Sequence, residues 1–318
     1  MRGRAALAAA LLAAVAGGPA SANDSTAVLA AGGLVLTRQA AIAMEREDLS
    51  VSPREVVVRY RFRNTGPAAI RSVVAFPLPE IDLSQLAETP ITAPGADPDD
   101  FVDFRVAVDG VAVPARLEMR AWRDGREVTE RLRAHGLPVS RFHPELYPRL
   151  KAQPQAARDA LSAAGIAAWE AHDNVYPLWT MRAAYHWEQE FPPGRAVEVE
   201  HRYRPVVGEG WFGEYLLADS DEGRKWRADH CVDAADLARL RAKLALTTPM
   251  DPYRRMRSLE YVLTTARNWQ GPIGTFRLHI DPGSDTAVLL TCRGGAGEGE
   301  GEVTGFVPGR ELLVAIVE

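Results

Sequence analysis

Acidic and histidine side chains occur at two places where their spacing is similar to that of metal ligands. His186 and Glu190 stand four residues apart, but their segment alternates apolar and polar residues like a strand and contains no H-E-x-x-H motif. The acidic run at residues 219–222 is similar to the start of a calcium loop, yet Arg224 stands where such a loop requires glycine. We therefore expect no metal site and no cofactor.

Groups for nucleophilic or acid–base catalysis are equally sparse. There is no G-x-S-x-G nucleophile motif and no G-x-x-x-x-G-K-[ST] phosphate loop. His172 and Asp173 could exchange a proton, but no nucleophile stands near them in the sequence. His201 lies on the apolar parity of its strand, which favours a core histidine. We expect no catalytic residue and a protein that is not an enzyme. The alternative is an envelope-polymer hydrolase in which the fold assembles carboxylates with His172 or His186.

Cys231 and Cys292 are the two cysteines of the chain. Their separation excludes a C-x-x-C redox or zinc motif. In an oxidising compartment an even number of cysteines favours a disulfide. In the chain-entropy model, this disulfide would stabilise the fold by roughly 4 kcal/mol, because it lowers the conformational entropy of the unfolded chain. Two free buried thiols are the alternative.

Aromatic residues are concentrated in the middle of the chain, with eleven between Trp169 and Trp226. Tryptophan and tyrosine offer flat apolar area with a polar edge, which suits a sugar ring or a protein partner. Core packing is the expected role for most of them. Trp179, after Pro177, and Trp211, between two glycines, are predicted exceptions because loops are expected to hold them. These two are the candidate binding residues.

The N-terminal sequence has the form of a secretory signal. Arg2 and Arg4 precede an apolar run at residues 5–16, and a small-x-small ending (ASA) predicts cleavage between Ala22 and Asn23. The run is shorter than the ~20 residues of a membrane helix. We expect a signal peptide over residues 1–22, a periplasmic or secreted protein, and no transmembrane segment in the mature chain.

Composition narrows the class of protein further. The 318 residues are 47% hydrophobic and 25% charged, values typical of a folded globular chain and not of a disordered or fibrous one. The net charge of −5 argues against nucleic acid as a partner. We expect the binding partner to be either a protein or an envelope polymer.

Strand patterns dominate the chain and predict a mainly β (α+β) fold, an antiparallel β-sandwich. Residues 54–63 alternate apolar and polar side chains, and so do residues 102–108 and 197–203. Asp109-Gly110 predicts a two-residue hairpin turn. Pro192-Pro193-Gly194 predicts another tight hairpin, joining the strand that ends at Phe191 to the strand at residues 197–203.

Helical spacing marks two further places. Residues 124–171 are predicted as an insertion of two or three short helices within a sandwich of residues 23–207. Residues 208–318 are predicted as a smaller C-terminal β unit with one helix at about residues 233–245. Asp233 is the expected N-cap of that helix, and the disulfide would tie its start to a strand ending at Cys292.

Three segments resemble a known family of exported bacterial proteins. They are residues 23–37 (NDSTAVLAAGGLVLT), 57–79 (VVRYRFRNTGPAAIRSVVAFPLP) and 268–278 (NWQGPIGTFRL). Together they are similar to domain-of-unknown-function family 4424, which implies export but no activity. The chain also resembles the vault/inter-α-trypsin β-sandwich module, in the alternating strand before Asn64-Thr65-Gly66 and in Phe76-Pro77-Leu78-Pro79 after it. The usual middle portion of that module is replaced here by the insertion.

The leading functional hypothesis is a non-catalytic periplasmic or envelope-associated binding module. It depends on the missing catalytic constellation and on the aromatic-rich middle of the chain. A purely structural subunit is a third possibility, and it predicts a large exposed apolar patch.

Overall fold

The structure is a computed structural model that describes residues 25–30, 33–85, 91–92, 94–95, 97–170, 174–248, 250–292 and 301–318. The signal peptide with its cleavage site between Ala22 and Asn23, and the pair His172-Asp173, lie outside these described residues. In the described part no helix is both long enough and apolar enough to cross a bilayer.

Strands make up 46% of the described residues and helices 20%. In chain order the strands are β1 (Ser25–Ala30), β2 (Gly33–Thr37), β3 (Ile42–Val51), β4 (Val56–Asn64), β5 (Ile70–Pro77), β6 (Ile81–Asp82), β7 (Ile91–Thr92), β8 (Arg105–Val108), β9 (Val111–Val113), β10 (Arg116–Arg123), β11 (Arg126–Glu127), β12 (Ala167–Trp169), β13 (Val175–Pro177), β14 (Thr180–Phe191), β15 (Ala196–Tyr203), β16 (Val207–Phe212), β17 (Arg254–Tyr261), β18 (Ile273–Ile280), β19 (Val288–Cys292), β20 (Gly301–Phe306) and β21 (Leu312–Val317). The helices are α1 (Thr129–Ala134), α2 (Leu146–Lys151), α3 (Gln155–Ala163), α4 (Glu214–Leu217), α5 (Asp221–Asp229) and α6 (Ala234–Leu244), with 3-10 turns at Leu83–Gln85 and Thr264–Asn268.

Two seven-stranded sheets face each other as a β-sandwich. The first has the order β11-β10-β14-β5-β1-β2, with β6 also on β14, and the second has the order β20-β18-β3-β4-β15-β8-β9. Trp187 of the first sheet lies 5.1 Å from His201 of the second, and Phe62 lies 6.0 Å from Phe191, measured between ring centroids. The predicted mainly β sandwich is therefore confirmed, and aromatic rings fill the space between its layers.

The alternation in the sequence explains why β4 and β15 form. Along both strands, alternate residues are buried against the opposite sheet, and arginines and glutamates fill the outward positions. On the outer face Arg59 forms an ion pair with Glu200 at 2.7 Å. Asp109 and Gly110 both have positive φ and join β8 to β9, as predicted.

The predicted hairpin at Pro192-Pro193-Gly194 is wrong. β14 pairs with β5 and β10 in the first sheet, whereas β15 pairs with β4 and β8 in the second. The turn therefore carries the chain across the sandwich. Each strand buries one face against the other layer, and facing strands of two layers show the same alternation as paired strands of one layer.

A third sheet of five strands, β19-β21-β17-β16-β7, is buried on both faces at β21. Leu312, Val314 and Ile316 of β21 belong to the main core, while Ala315 and Val317 pack in a second core with the helices α4 and α6. This arrangement explains the continuous apolar run of β21, which a strand with one solvated face would not show.

The predicted helices are confirmed. The insertion contains α1, α2 and α3, and α6 begins after Asp233, whose side chain accepts a hydrogen bond from the Asp236 backbone N–H in a capping box. The predicted disulfide between Cys231 and Cys292 is present, with 5.3 Å between the α-carbons. It joins the start of α6 to the end of β19.

The predicted division at residues 207 and 208 stays a prediction about folding units, but strand pairing crosses it. β18 lies beside β3 in a parallel pair, and β20 continues the same sheet. A buried polar cluster also spans the two parts: the hydroxyls of Tyr60 and Tyr261 are 2.7 Å apart, and Tyr261 donates to Glu47 at 3.3 Å.

Candidate functional site

The two candidate tryptophans have opposite environments. Trp179 lies between β13 and β14, and its side chain has no exposed surface. Its indole N–H donates to the Val139 carbonyl of the insertion at 3.1 Å. The prediction that Trp179 stands outside the core is wrong, because the helical insertion folds over the loop that holds it. A buried ring has no face to offer a ligand.

Trp211 is 63% exposed, although β16 rather than a loop holds it. Its neighbour Phe212 points to the opposite face of β16 and is fully buried in the second core, 5.5 Å from the ring of Trp226. The alternation of a strand thus anchors one aromatic residue and exposes the next.

Gly213 extends the exposed face beyond Trp211. Its backbone is still extended, so a side chain there would point to the same face as Trp211, two residues earlier. A β-carbon built on Gly213 would lie 2.7 Å from Cδ1 of Tyr253 and 3.1 Å from Cδ1 of Tyr215. Both tyrosine rings therefore pack directly over the glycine, a position that any larger residue would fill.

Together these rings form what we call the Trp211 surface, consisting of Trp211, Tyr215 and Tyr253. Tyr215 and Tyr253 are 42% and 45% exposed. The Tyr215 hydroxyl donates to the Trp211 carbonyl at 2.8 Å, which fixes the ring relative to the strand. Partial burial raises the pKa of Tyr215, and Glu222 and Tyr253 raise it further. The hydroxyl therefore stays protonated and able to donate near neutral pH.

Exposed apolar side chains are frequent in the stretch of chain that contains the Trp211 surface. Of the nine large apolar side chains that are exposed among the described residues, five lie between residues 211 and 253. Besides the three aromatic residues they include Leu246 and Met250. Three of these five side chains, the aromatic ones, are grouped on the Trp211 surface, and grouped exposed aromatic residues are typical of an interaction site.

Beside Trp211, the rim of the Trp211 surface carries a pair of opposite charges. Arg255, which is paired with Trp211 across β16 and β17, forms an ion pair with Glu209, two residues before Trp211 on the same face. The hydrogen bond from Arg255 to Glu209 raises the pKa of the guanidinium. The pair supplies donors and acceptors beside the rings without adding net charge.

Sequence reasoning missed Tyr253 because it lies outside the aromatic-rich interval that ends at Trp226. The two short elements α4 and α5 and the longer α6 bring it back to β16. Gly213, flanked by Phe212 and two residues before Tyr215, was the available signal, since a glycine next to aromatic residues can mark close packing of a ring on the backbone.

For the alternative, enzymatic hypothesis, the fold places His186 in one open cleft with Glu118, Asp99 and His143. Among the described residues, however, no hydrogen bond joins the His186 side chain to a carboxylate. Burial lowers the pKa of His186, although the nearby Glu118 partly opposes this. Glu118 itself accepts from Arg120 and from the Leu34 N–H. His201 is fully buried in the aromatic core.

The acidic run at residues 219–222 forms the start of α5. Ser220 caps this helix by accepting from the Gly223 N–H, and Asp219 and Asp221 both form ion pairs with Arg224. Among the described residues no group of three or more histidine, cysteine or acidic side chains is arranged to hold a metal ion.

Comparisons with known proteins add a family and a distant structure. The model of the family described as domain of unknown function DUF4424 matches residues 22–313. No curated protein matches the chain. A solved structure from Legionella pneumophila, provisionally described as a nutrient binding protein, is 15% identical with a TM-score of 0.43, over 93% of this chain and 70% of that one. At this level of likeness the function must be argued from the site itself.

Proposed function

The chain belongs to the DUF4424 family of domains of unknown function, and on that premise we propose that it is an exported, non-catalytic protein that binds the glycan of the bacterial cell wall through the Trp211 surface. The observation that carries the proposal is a group of three exposed aromatic residues, Trp211 on β16 and the two tyrosines, Tyr215 and Tyr253, that pack on the next glycine, Gly213. The two tyrosine rings are fixed by backbone contacts, through the Tyr215 hydroxyl and through the packing of both rings on Gly213, so they lose little conformational freedom on binding.

Sugar rings fit this surface for chemical reasons. One side of a pyranose carries C–H groups with slight positive charge, which are attracted to the negative face of an aromatic ring. The hydroxyl groups at the edge of the sugar need donors and acceptors, and the Tyr215 hydroxyl and the Arg255–Glu209 pair offer both. Burying a hydroxyl without such partners would cost about 1–3 kcal/mol.

Charge favours a neutral polymer strand over a polyanionic partner. Arg255 and Glu209 neutralise each other beside Trp211, and the other charged group that acts on the rings, Glu222, is acidic, so the surface has no positive charge to attract a polyanion. The N-terminal sequence, which has the form of a secretory signal, supports export, and an exported bacterial protein shares its compartment with the glycan of the cell wall.

Co-sedimentation with purified cell-wall sacculi tests the proposal. The chain from residue 23 is mixed with increasing amounts of sacculi, and the bound fraction gives an apparent Kd. We expect Trp211→Ala and Tyr253→Ala each to weaken binding at least tenfold, which corresponds to about 1.4 kcal/mol or more. Gly213→Val is expected to have a similar effect, because the added side chain displaces both tyrosine rings.

Val111→Ala is the matched control, since Val111 is an exposed apolar residue outside the Trp211 surface. This variant should bind sacculi like the unmodified chain. Equal binding by Trp211→Ala and the unmodified chain, or no binding of the unmodified chain to sacculi, would contradict the proposal.

A further inference from the structure

A cavity lies at the junction of the sandwich and the third sheet. It shares no residue with the Trp211 surface. Its volume is about 340 Å³, which lies within the range of small-molecule sites. Apolar side chains form most of its wall, among them Leu78, Ile81, Phe101 and Leu259. We call this cavity the junction cleft.

All charged side chains that line the junction cleft in the described part of the chain are acidic: Glu80, Asp82 and Glu260. Glu80 is neutralised by Arg182, at 2.7 Å. Asp82 accepts hydrogen bonds from the backbone N–H and hydroxyl of Ser84, at 2.9 and 2.6 Å. Among the described residues neither Asp82 nor Glu260 forms an ion pair, so two carboxylates are left without a cation.

The electrostatics around Glu260 favour a bound cation. Surrounding protein atoms and the nearby Glu311 raise the pKa of Glu260, while Arg310 acts in the opposite direction. The carboxylate remains partly open to solvent at the mouth of the cleft, so a ligand can reach it. Glu311 is already engaged, because it accepts from the Leu263 and Thr264 backbone N–H groups.

Tyr203 is an independent sign of a polar ligand. Its side chain lines the cleft and is 4% exposed, yet its hydroxyl makes no hydrogen bond among the described residues. Burial raises the pKa of Tyr203, so the hydroxyl stays protonated. A buried hydroxyl without a partner is unfavourable, and a ligand atom that hydrogen-bonds to it would remove the cost.

From these contacts we infer that the junction cleft binds a small organic ammonium ion, with its apolar body between Leu78 and Leu259 and its ammonium group beside Glu260 and Asp82. The Tyr203 hydroxyl accepts one N–H of the same group. Among the described residues, the cleft has acidic side chains and no basic one in its wall, so it would repel a carboxylate ligand. A neutral ligand would not offset the cost of burying the two carboxylates. This inference does not depend on the glycan proposal, because the two sites have no residue in common.

Three six-carbon probes of similar shape and different charge test the inference: hexylammonium, hexan-1-ol and hexanoate. Titration of the chain from residue 23, followed by NMR shifts of cleft residues such as Leu259, gives a Kd for each probe. We expect hexylammonium to bind at least fivefold more tightly than hexan-1-ol, and hexanoate to be the weakest. Glu260→Gln should remove most of the preference for the ammonium, and Tyr203→Phe should weaken hexylammonium two- to fivefold.

Glu130→Gln is the matched control, because it removes the same charge from an exposed position on α1. Its probe affinities should equal those of the unmodified chain. Glu260 and the Tyr203 hydroxyl contribute no core packing, so both variants are expected to fold, and unchanged thermal melting verifies this. Equal binding of hexylammonium and hexan-1-ol, tightest binding of hexanoate, or shifts confined to residues outside the cleft would overturn the inference. Sacculus binding by Glu260→Gln should be unchanged, so failure here is distinguishable from failure of the proposed function.

Discussion

The surroundings of Trp179 and of Trp211 show two uses of the same residue type within one aromatic-rich stretch of chain. Around Trp179 the helical insertion covers the ring completely and takes its indole N–H as a hydrogen-bond donor. No element of the described chain covers the ring of Trp211 in this way, and the ring is largely exposed. Gly213, two residues later, has no side chain, so two tyrosine rings pack against the backbone there. The two tryptophans therefore differ in exposure, which is set by the elements that pack around them. The covered one is a core residue, and the exposed one is a candidate binding residue.

The difference also concerns what each region contributes in free energy. A buried aromatic ring contributes to folding through the area it removes from water and through the packing of its neighbours. An exposed ring contributes little to folding and keeps its apolar area for a ligand. Mutation should therefore destabilise the fold much more in the buried region than in the exposed one, and the buried region should also be sensitive to pH.

Trp179→Ala should have the largest effect on stability. Removing a fully buried tryptophan leaves a cavity and an unpaired Val139 carbonyl, and we expect a loss of about 3–5 kcal/mol in the free energy of unfolding. Urea denaturation followed by circular dichroism measures it. The fraction that remains folded should bind sacculi normally; a loss below about 1 kcal/mol would mean that the ring is not part of the core.

The buried region should also be sensitive to pH through His201. Burial lowers the pKa of His201 to about 3, whereas the unfolded chain has a histidine pKa near 6.5. Between these values the unfolded state binds a proton that the folded state does not, so stability falls as the pH falls, by roughly 1.4 kcal/mol per pH unit. Denaturation at pH 7 and pH 5 should show a loss of about 2 kcal/mol from this residue.

His201→Phe isolates that contribution from those of the other titrating groups. The ring of His201 stands within 5.3 Å, measured between ring centroids, of Tyr60, Phe76, Phe104 and Trp187, so an aromatic replacement suits the site. The variant should lose less stability between pH 7 and pH 5 than the unmodified chain. Identical losses would show that His201 is not kept neutral by the fold.

Trp211→Ala should have the smallest effect on stability. Since most of the side chain is already in water, we expect the free energy of unfolding to change by less than about 0.5 kcal/mol. The same urea experiment measures it beside Trp179→Ala. A loss above about 2 kcal/mol would show that Trp211 is a packing residue, and the contrast between the two regions would disappear.

Much of the local structure could be predicted from particular residues. The alternation of apolar and polar residues predicted β4 and β15, and the cap at Asp233 predicted the start of α6. The even number of cysteines, together with the expected export, predicted the disulfide. Each of these signals is local or depends on chemistry that two residues share. The crossing at residues 192–194 was missed because strand alternation reports that a face is buried and does not report which layer buries it.

Of the Trp211 surface, the sequence indicated only Trp211 itself. Tyr253 stands 42 residues away, and its packing on Gly213 depends on the path of three helices between β16 and β17. The junction cleft was not predicted at all, since Leu78, Tyr203 and Glu260 come from three distant strands or loops.

The amino-acid sequence by itself determined the compartment expected for this protein, its β-rich class and its pair of bonded sulfurs, because these follow from short segments and from the chemistry of single side chains. The tertiary structure decided which aromatic rings face water, which acids lack a cation and which strands share a sheet. Those properties depend on what covers each residue, and the covering atoms come from segments distant in the chain.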